Sequence, residues 1–112
     1  MIDEKDIMLV EYVETDNGCP ALCFCNDISI PITNKTMVQS FINYMTNDMK
    51  FKIVNFKIQN LMFNFISNDI TSVMAKVNGT FEFIGFVNSN DLLNCMEKIV
   101  ICLKERADAS QA

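Results

Sequence analysis

Histidine is absent from this sequence. That removes the commonest general base, every Ser-His or Cys-His nucleophile pair and most zinc sites. Three glycines, Gly18, Gly79 and Gly85, are spread along the chain, too sparse for a phosphate-cradling loop. Nine Lys and Arg stand against fourteen Asp and Glu, a net charge of −5, and the cations are scattered. Nucleic-acid binding needs clustered cations to neutralise phosphates, so that class is set aside. No apolar run approaches the roughly 18 residues that would span a bilayer. The chain opens Met-Ile-Asp-Glu-Lys-Asp, without the basic and then apolar character of a secretory leader, and a cytoplasmic location is expected.

The five cysteines, Cys19, Cys23, Cys25, Cys95 and Cys102, are odd in number and carry no secretory context, which favours free thiols in a reducing compartment. Odd spacing along one strand puts Cys19, Cys23 and Cys25 on a shared face, where they could offer soft ligands to copper or zinc. Packing is the preferred reading, because free cysteine is among the most buried residue types. A closed site would also need ligands from elsewhere, and Cys95 and Cys102 lie on a helix. No metal or cofactor is expected, and the protein is expected not to be an enzyme.

What the sequence has in quantity is strand-forming apolar residues. Half the chain is hydrophobic, with nine Phe and eight Met, which suits one packed domain over residues 1–112 and not a disordered segment. The run Ser72 to Val87 is two alternating apolar stretches around Asn78-Gly79, a dipeptide that accepts positive φ at both central turn positions. It predicts a tight antiparallel hairpin. Val73, Ala75 and Val77 are expected on one face of its first strand, and Phe81, Phe83, Gly85 and Val87 on one face of its second.

Residues 1–5 are expected to be flexible. Strands are predicted over Asp6 to Glu14 and Cys19 to Asn26, joined by the turn Thr15-Asp16-Asn17-Gly18, with Pro20 at a strand start or an edge. Ile28, Ile30 and Ile32 are expected to extend the second strand past a kink at Asn26-Asp27. Thr36-Met37-Val38-Gln39 has the form of a capping box. Met37, Val38, Phe41, Ile42 and Met45 follow it at helical spacing, and Asn47-Asp48 stops the helix. Phe51 to Ser67 reads either as a hairpin turning at Gln59-Asn60 or as one bent strand. After the central hairpin, Asn88-Ser89-Asn90-Asp91 offers helix caps. Leu92, Leu93, Met96, Ile99, Val100 and Leu103 then give the clearest helical periodicity in the chain. Residues 107–112 are expected to be a flexible tail.

The expected fold is therefore α+β, an antiparallel sheet of five or six strands covered by two helices in the order ββαβββ(β)α. The strands from Phe51 onward carry apolar residues on both faces, for instance Phe51 and Ile53 against Val54 and Phe56. Two helices can bury one face, and an uncovered apolar face marks a partner surface.

Asp16-Asn17-Gly18-Cys19-Pro20-Ala21, between two short strands, resembles the turn of roadblock/dynein-light-chain domains. The following helix, strand meander and closing helix come in the same order as in that family, so the likeness covers most of residues 6 to 105. The order of elements is also compatible with related profilin-like or longin-like folds, and with a small proteasome-assembly-chaperone-like protein. The resemblance implies a non-enzymatic scaffold that pairs through its central helix and adjoining strand, as a homodimer or heterodimer. In that family the partners are small GTPases or motor and membrane-trafficking complexes. The matching segments here are Thr36–Asn47 and Phe51–Ile58, which makes Gln39, Asn43, Thr46, Phe51, Ile53 and Asn55 the expected protein interface. Edge-strand pairing there is expected to satisfy exposed backbone groups and to bury the second apolar face. The alternative is a small acidic assembly or secretion chaperone that masks the surface of a client. Neither nucleic acid nor insertion into a membrane is expected.

Overall fold

The computed structural model describes residues 6–48 and 55–110. Its strands are β1 (Val10–Glu14), β2 (Pro20–Phe24), β3 (Ile28–Pro31), β4 (Asn55–Ile58), β5 (Leu61–Phe65), β6 (Ile70–Val77) and β7 (Thr80–Asn88). Its helices are α1 (Lys35–Asn43), continued by a π-helical turn over Tyr44–Asp48, and α2 (Ser89–Ser110). The class is α+β as expected. There are two antiparallel sheets and not one, with strand orders β1-β2-β3 and β4-β5-β6-β7.

The sheets meet only briefly. Ile7 bridges to Phe86 in parallel and the Met8 amide donates to the Phe86 carbonyl at 2.7 Å. Beyond Asn88 the chain coils into α2, so β1 has a helix and not a strand beside it. Close approach at this junction uses Gly85, where a Cβ would come within 2.8 Å of the Met8 sulfur.

Two sequence expectations change, one at a turn and one at a bulge, and one open alternative is decided. The chain does not kink at Asn26-Asp27 but reverses, because Cys25 and Asn26 both take positive φ (56° and 58°). Ile28 and Ile30 therefore lie on a separate strand, β3, paired antiparallel to β2. Phe51–Ser67 resolves, within its described part, as the hairpin: β4 and β5 turn at Gln59-Asn60, with Gln59 at φ 52°. That places Phe56 and Ile58 on the same face as Phe63 and Leu61. The central hairpin closes at Asn78-Gly79 with φ of 51° and 86°, the left-handed pair the dipeptide predicts.

The second change is a bulge. The β6–β7 register shifts between Val73, opposite Gly85, and Met74, opposite Phe83. Ile84 is the extra residue, and an extra residue reverses the alternation beyond it. Gly85 and Val87 stay inward with Val73 and Thr71, whereas Phe81 and Phe83 point outward with Lys76 and Met74. The expected shared face of Phe81, Phe83, Gly85 and Val87 is thus split in two.

Helix α1 starts earlier than the expected capping box. Asn34 is the N-cap, its Oδ1 accepting from the Met37 amide at 3.1 Å. Gln59, from the β4–β5 turn, accepts through Oε1 from the Thr33 and Asn34 amides at 2.8 and 3.1 Å. Gln39 bonds Asn43 instead of reaching back to a cap. Asn88 caps α2, accepting from the Asp91 amide at 3.1 Å. The expected flexible tail is helical through Ser110, and Arg106 ties the last turns to the Asn17 carbonyl at 3.0 Å.

Both helices lie on one side of the sheets, packed against each other. Val38, Phe41, Leu92, Met96 and Ile99 are buried there with Leu22, Phe24, Phe63 and Val73. Phe41 is the centre of α1's contact, its ring 5.2 Å from Phe56, 5.0 Å from Phe63 and 5.5 Å from Phe65. Tyr44 adds a stacked contact to Phe65 at 5.2 Å. Edge-to-face and tilted rings at this spacing add to the burial itself. Phe41→Ala is expected to cost about 3–5 kcal/mol in urea denaturation, while Ser40→Ala, on the exposed side of the same helix, leaves the midpoint within about 0.5 kcal/mol.

Candidate functional site

A sheet edge is a row of unpaired backbone groups, and each edge of this protein is treated differently. Along β1 the edge is sealed by α2. The Cys95 thiol donates to the Val10 carbonyl at 3.8 Å, and the Tyr12 amide faces the same sulfur. Two turns further along α2, the Cys102 thiol reaches Glu14 Oε1 at 3.6 Å and the Gly18 carbonyl at 3.8 Å. Strand β3 is four residues long and ends in Pro31, which has no donor. The Ile7 and Met8 backbone covers part of β7. Strand β4 has β5 on one side and, among the described residues, no strand on the other.

The structure does not bring the sequence-predicted interface residues together in one surface. Gln39, Asn43 and Thr46 are exposed on one side of α1 and its π turn, one helical repeat apart. Gln39 Nε2 donates to Asn43 Oδ1 at 3.1 Å, and Thr46 Oγ1 donates to the Ile42 carbonyl at 2.9 Å. Gln39 also lines a groove of about 240 Å³ between the helices with Ile42, Glu97, Val100 and Ile101. Asn55 begins β4, but its register opposite Asn64 turns its side chain away from α1. Phe51 and Ile53 lie outside the described residues.

Apolar residues occupy the outward face of the β4–β7 sheet at its hairpin end, whereas further along the same face Ser72 is only 8% exposed. One row across the sheet reads Lys57, Met62, Met74, Phe83. Phe83 is 55% exposed, with Phe86 5.1 Å from it edge-on and Phe81 in the next row. The Lys57 ammonium sits 5.4 Å from the Phe81 ring centroid, a cation–π contact. In the middle of this face the Asn64 Oδ1 is buried without a hydrogen-bond partner among the described residues. A signal for this patch was available: Gly85 inside a strand run is a common mark of a bulge.

Cys19, Cys23 and Cys25 do not form the shared face that strand alternation suggested. Cys19 precedes β2, Cys23 is buried within it, and Cys25 is exposed in the left-handed turn. Among the described residues no group of three or more His, Cys, Asp or Glu is placed to hold a metal ion. No described helix is long and apolar enough to cross a membrane. Comparison with protein-family models, curated proteins and solved structures finds no match to this chain.

Two groups in the α2–β1 seam, Cys95 and Tyr12, are shifted from their ordinary pKa values. Burial pushes the Cys95 thiol above its ordinary 9.0, against a smaller opposing effect of Lys98. Burial, then the hydrogen bond that the phenol donates to the Cys102 sulfur and the negative charge of Glu14 nearby, pushes the Tyr12 phenol up as well. Both folded values exceed the unfolded ones, so the folded state favours the neutral forms. Their stabilisation is complete below about pH 9 and is lost as the pH climbs through the folded values. Urea midpoints are therefore expected to hold steady between about pH 7 and pH 8.5 and to fall from about pH 9 upward. Cys95→Ala should flatten part of that fall, and an unchanged slope in this variant would remove the thiol from the account.

Proposed function

We propose that this chain is a non-enzymatic adaptor subunit that pairs with a second protomer through the β4 edge and the exposed side of α1. The observation that carries this reading is the β4 edge, which has no strand beside it among the described residues, whereas α2 lies along β1 and the Ile7–Met8 backbone covers part of β7. In a two-residue hairpin the closing pair is hydrogen-bonded, here Ile58 with Leu61, and alternation turns the backbone groups of Asn55 and Lys57 outward. A partner strand laid there satisfies them by β-augmentation. Gln39, Asn43 and Thr46, exposed on α1, are the helix side chains that a roadblock-like pairing would use. The same resemblance suggests small GTPases or trafficking complexes as the larger assembly, in the cytoplasm.

Edge pairing of this kind extends a sheet within its own plane. It does not bury the outer face, contrary to the expectation from sequence, and leaves that face available beside the joint. The exposed Phe83 flanked by the adaptable side chains of Met62 and Met74 favours a second reading, a chaperone that masks a client's apolar surface.

Light scattering decides between them. The adaptor is expected to run at twice its 12.8 kDa chain mass. Asn55→Pro, which removes an outward amide from an edge strand, should return it to a monomer with unchanged circular dichroism. A wild-type chain that stays monomeric at high concentration and co-purifies with a stoichiometric client supports the chaperone.

A further inference from the structure

We propose that the outer face of the β4–β7 sheet docks an acidic amphipathic helix of another protein. This goes beyond the pairing assigned to the β4 edge and does not depend on it.

Faces of sheets are covered by helices or by other sheets, whereas strands add at edges. Four strands at about 4.8 Å spacing give a surface wide enough for a helix about 10 Å across. The aromatic anchors are clustered on one side of that surface, with Phe83 more than half exposed and in edge-on contact with Phe86. Aromatic clusters of this kind are the anchors on which binding energy concentrates.

Charge selects the partner. The whole chain carries −5, yet the outward-facing rows contain Lys57 and Lys76 and no carboxylate. Glu82, the acid on β7, stands opposite Ala75 on the other side of the sheet. The face is thus a positive apolar island on a negative protein. Lys57 is poised over Phe81, and Lys76 pairs across the sheet with Phe81 itself, so two cations border one aromatic ring. A helix with an apolar stripe and flanking Asp or Glu meets the rings with the stripe and the lysines with its carboxylates. A second copy of this chain is disfavoured because the apolar stripes of its own helices are already spent on its core.

The test uses a fluorescein-labelled peptide of about 18 residues with Leu at helical i, i+3, i+4, i+7 spacing and Glu at the flanks. The control is the same peptide with Lys in place of Glu. By fluorescence anisotropy at about 50 mM salt, the Glu peptide is expected to bind roughly tenfold tighter than the Lys peptide, despite the negative charge of the whole protein, and to weaken at about 300 mM. Phe83→Ser should lower its affinity about tenfold or more, and the pair Lys57→Glu and Lys76→Glu should reverse the preference. These positions are exposed or at the surface, and circular dichroism verifies each fold; Lys76→Glu alone gives the charge readout should Phe83→Ser unfold. Asn55→Pro should bind the Glu peptide as the wild type does, whatever its oligomeric state, which separates this proposal from the edge pairing. Equal binding of the two peptides, or stronger binding of the Lys peptide, overturns the proposal. So does undiminished binding by Phe83→Ser, or a wild-type oligomer that dissociates on Phe83→Ser, since a second copy would then occupy the face.

Discussion

The two helices pack against each other, and this confines both of them to one side of the sheets. Phe41 fixes α1 over β4 and β5 through three ring contacts, and the Leu92, Met96 and Ile99 stripe fixes α2 over the first sheet and the end of β7. A sheet has two faces, and both helices are spent on one of them. The inner layer is ordinary close packing. Among the described residues, the exposed Phe83 on the outer face and a β4 edge without a neighbouring strand are what that arrangement leaves.

Within this frame, two local devices decide what the open surfaces present. The bulge at Ile84 turns Phe81 and Phe83 away from the helices and keeps Val87 under them. Without the inserted residue the aromatic end of the hairpin would be core and the face would be polar. The other device is the thiol seam. Cys95 and Cys102, two helical turns apart, each meet a backbone carbonyl along the β1 side of α2. Weak donors suit this position because they satisfy an edge without the desolvation cost of a stronger polar group.

The sequence carried the elements better than their assembly. Helical periodicity from Leu92 to Leu103 and the Asn78-Gly79 turn are local patterns, and local patterns survive folding. The reversal at Cys25-Asn26 escaped notice because neither residue is glycine, and left-handed backbone at such residues is uncommon. The split into two sheets depends on where β7 gives way to α2 beside β1, a long-range matter that no window of sequence encodes. Of the interface residues, Gln39, Asn43 and Thr46 were placed together by helical spacing alone. Asn55 was grouped with them by nearness in the chain, whereas strand register turns its side chain to the opposite face. The excess of apolar β surface over helix was legible from counting; its aromatic character was hidden by one bulge.

Gln59 accepts from the backbone amides of Thr33 and Asn34, 26 and 25 positions away, at the very point where α1 begins. The helix has its own cap in Asn34, and the two amides are exposed, so these bonds are not needed to satisfy its entrance. What they supply is placement: a turn between two strands fixes where a nine-residue helix starts relative to the sheet it covers.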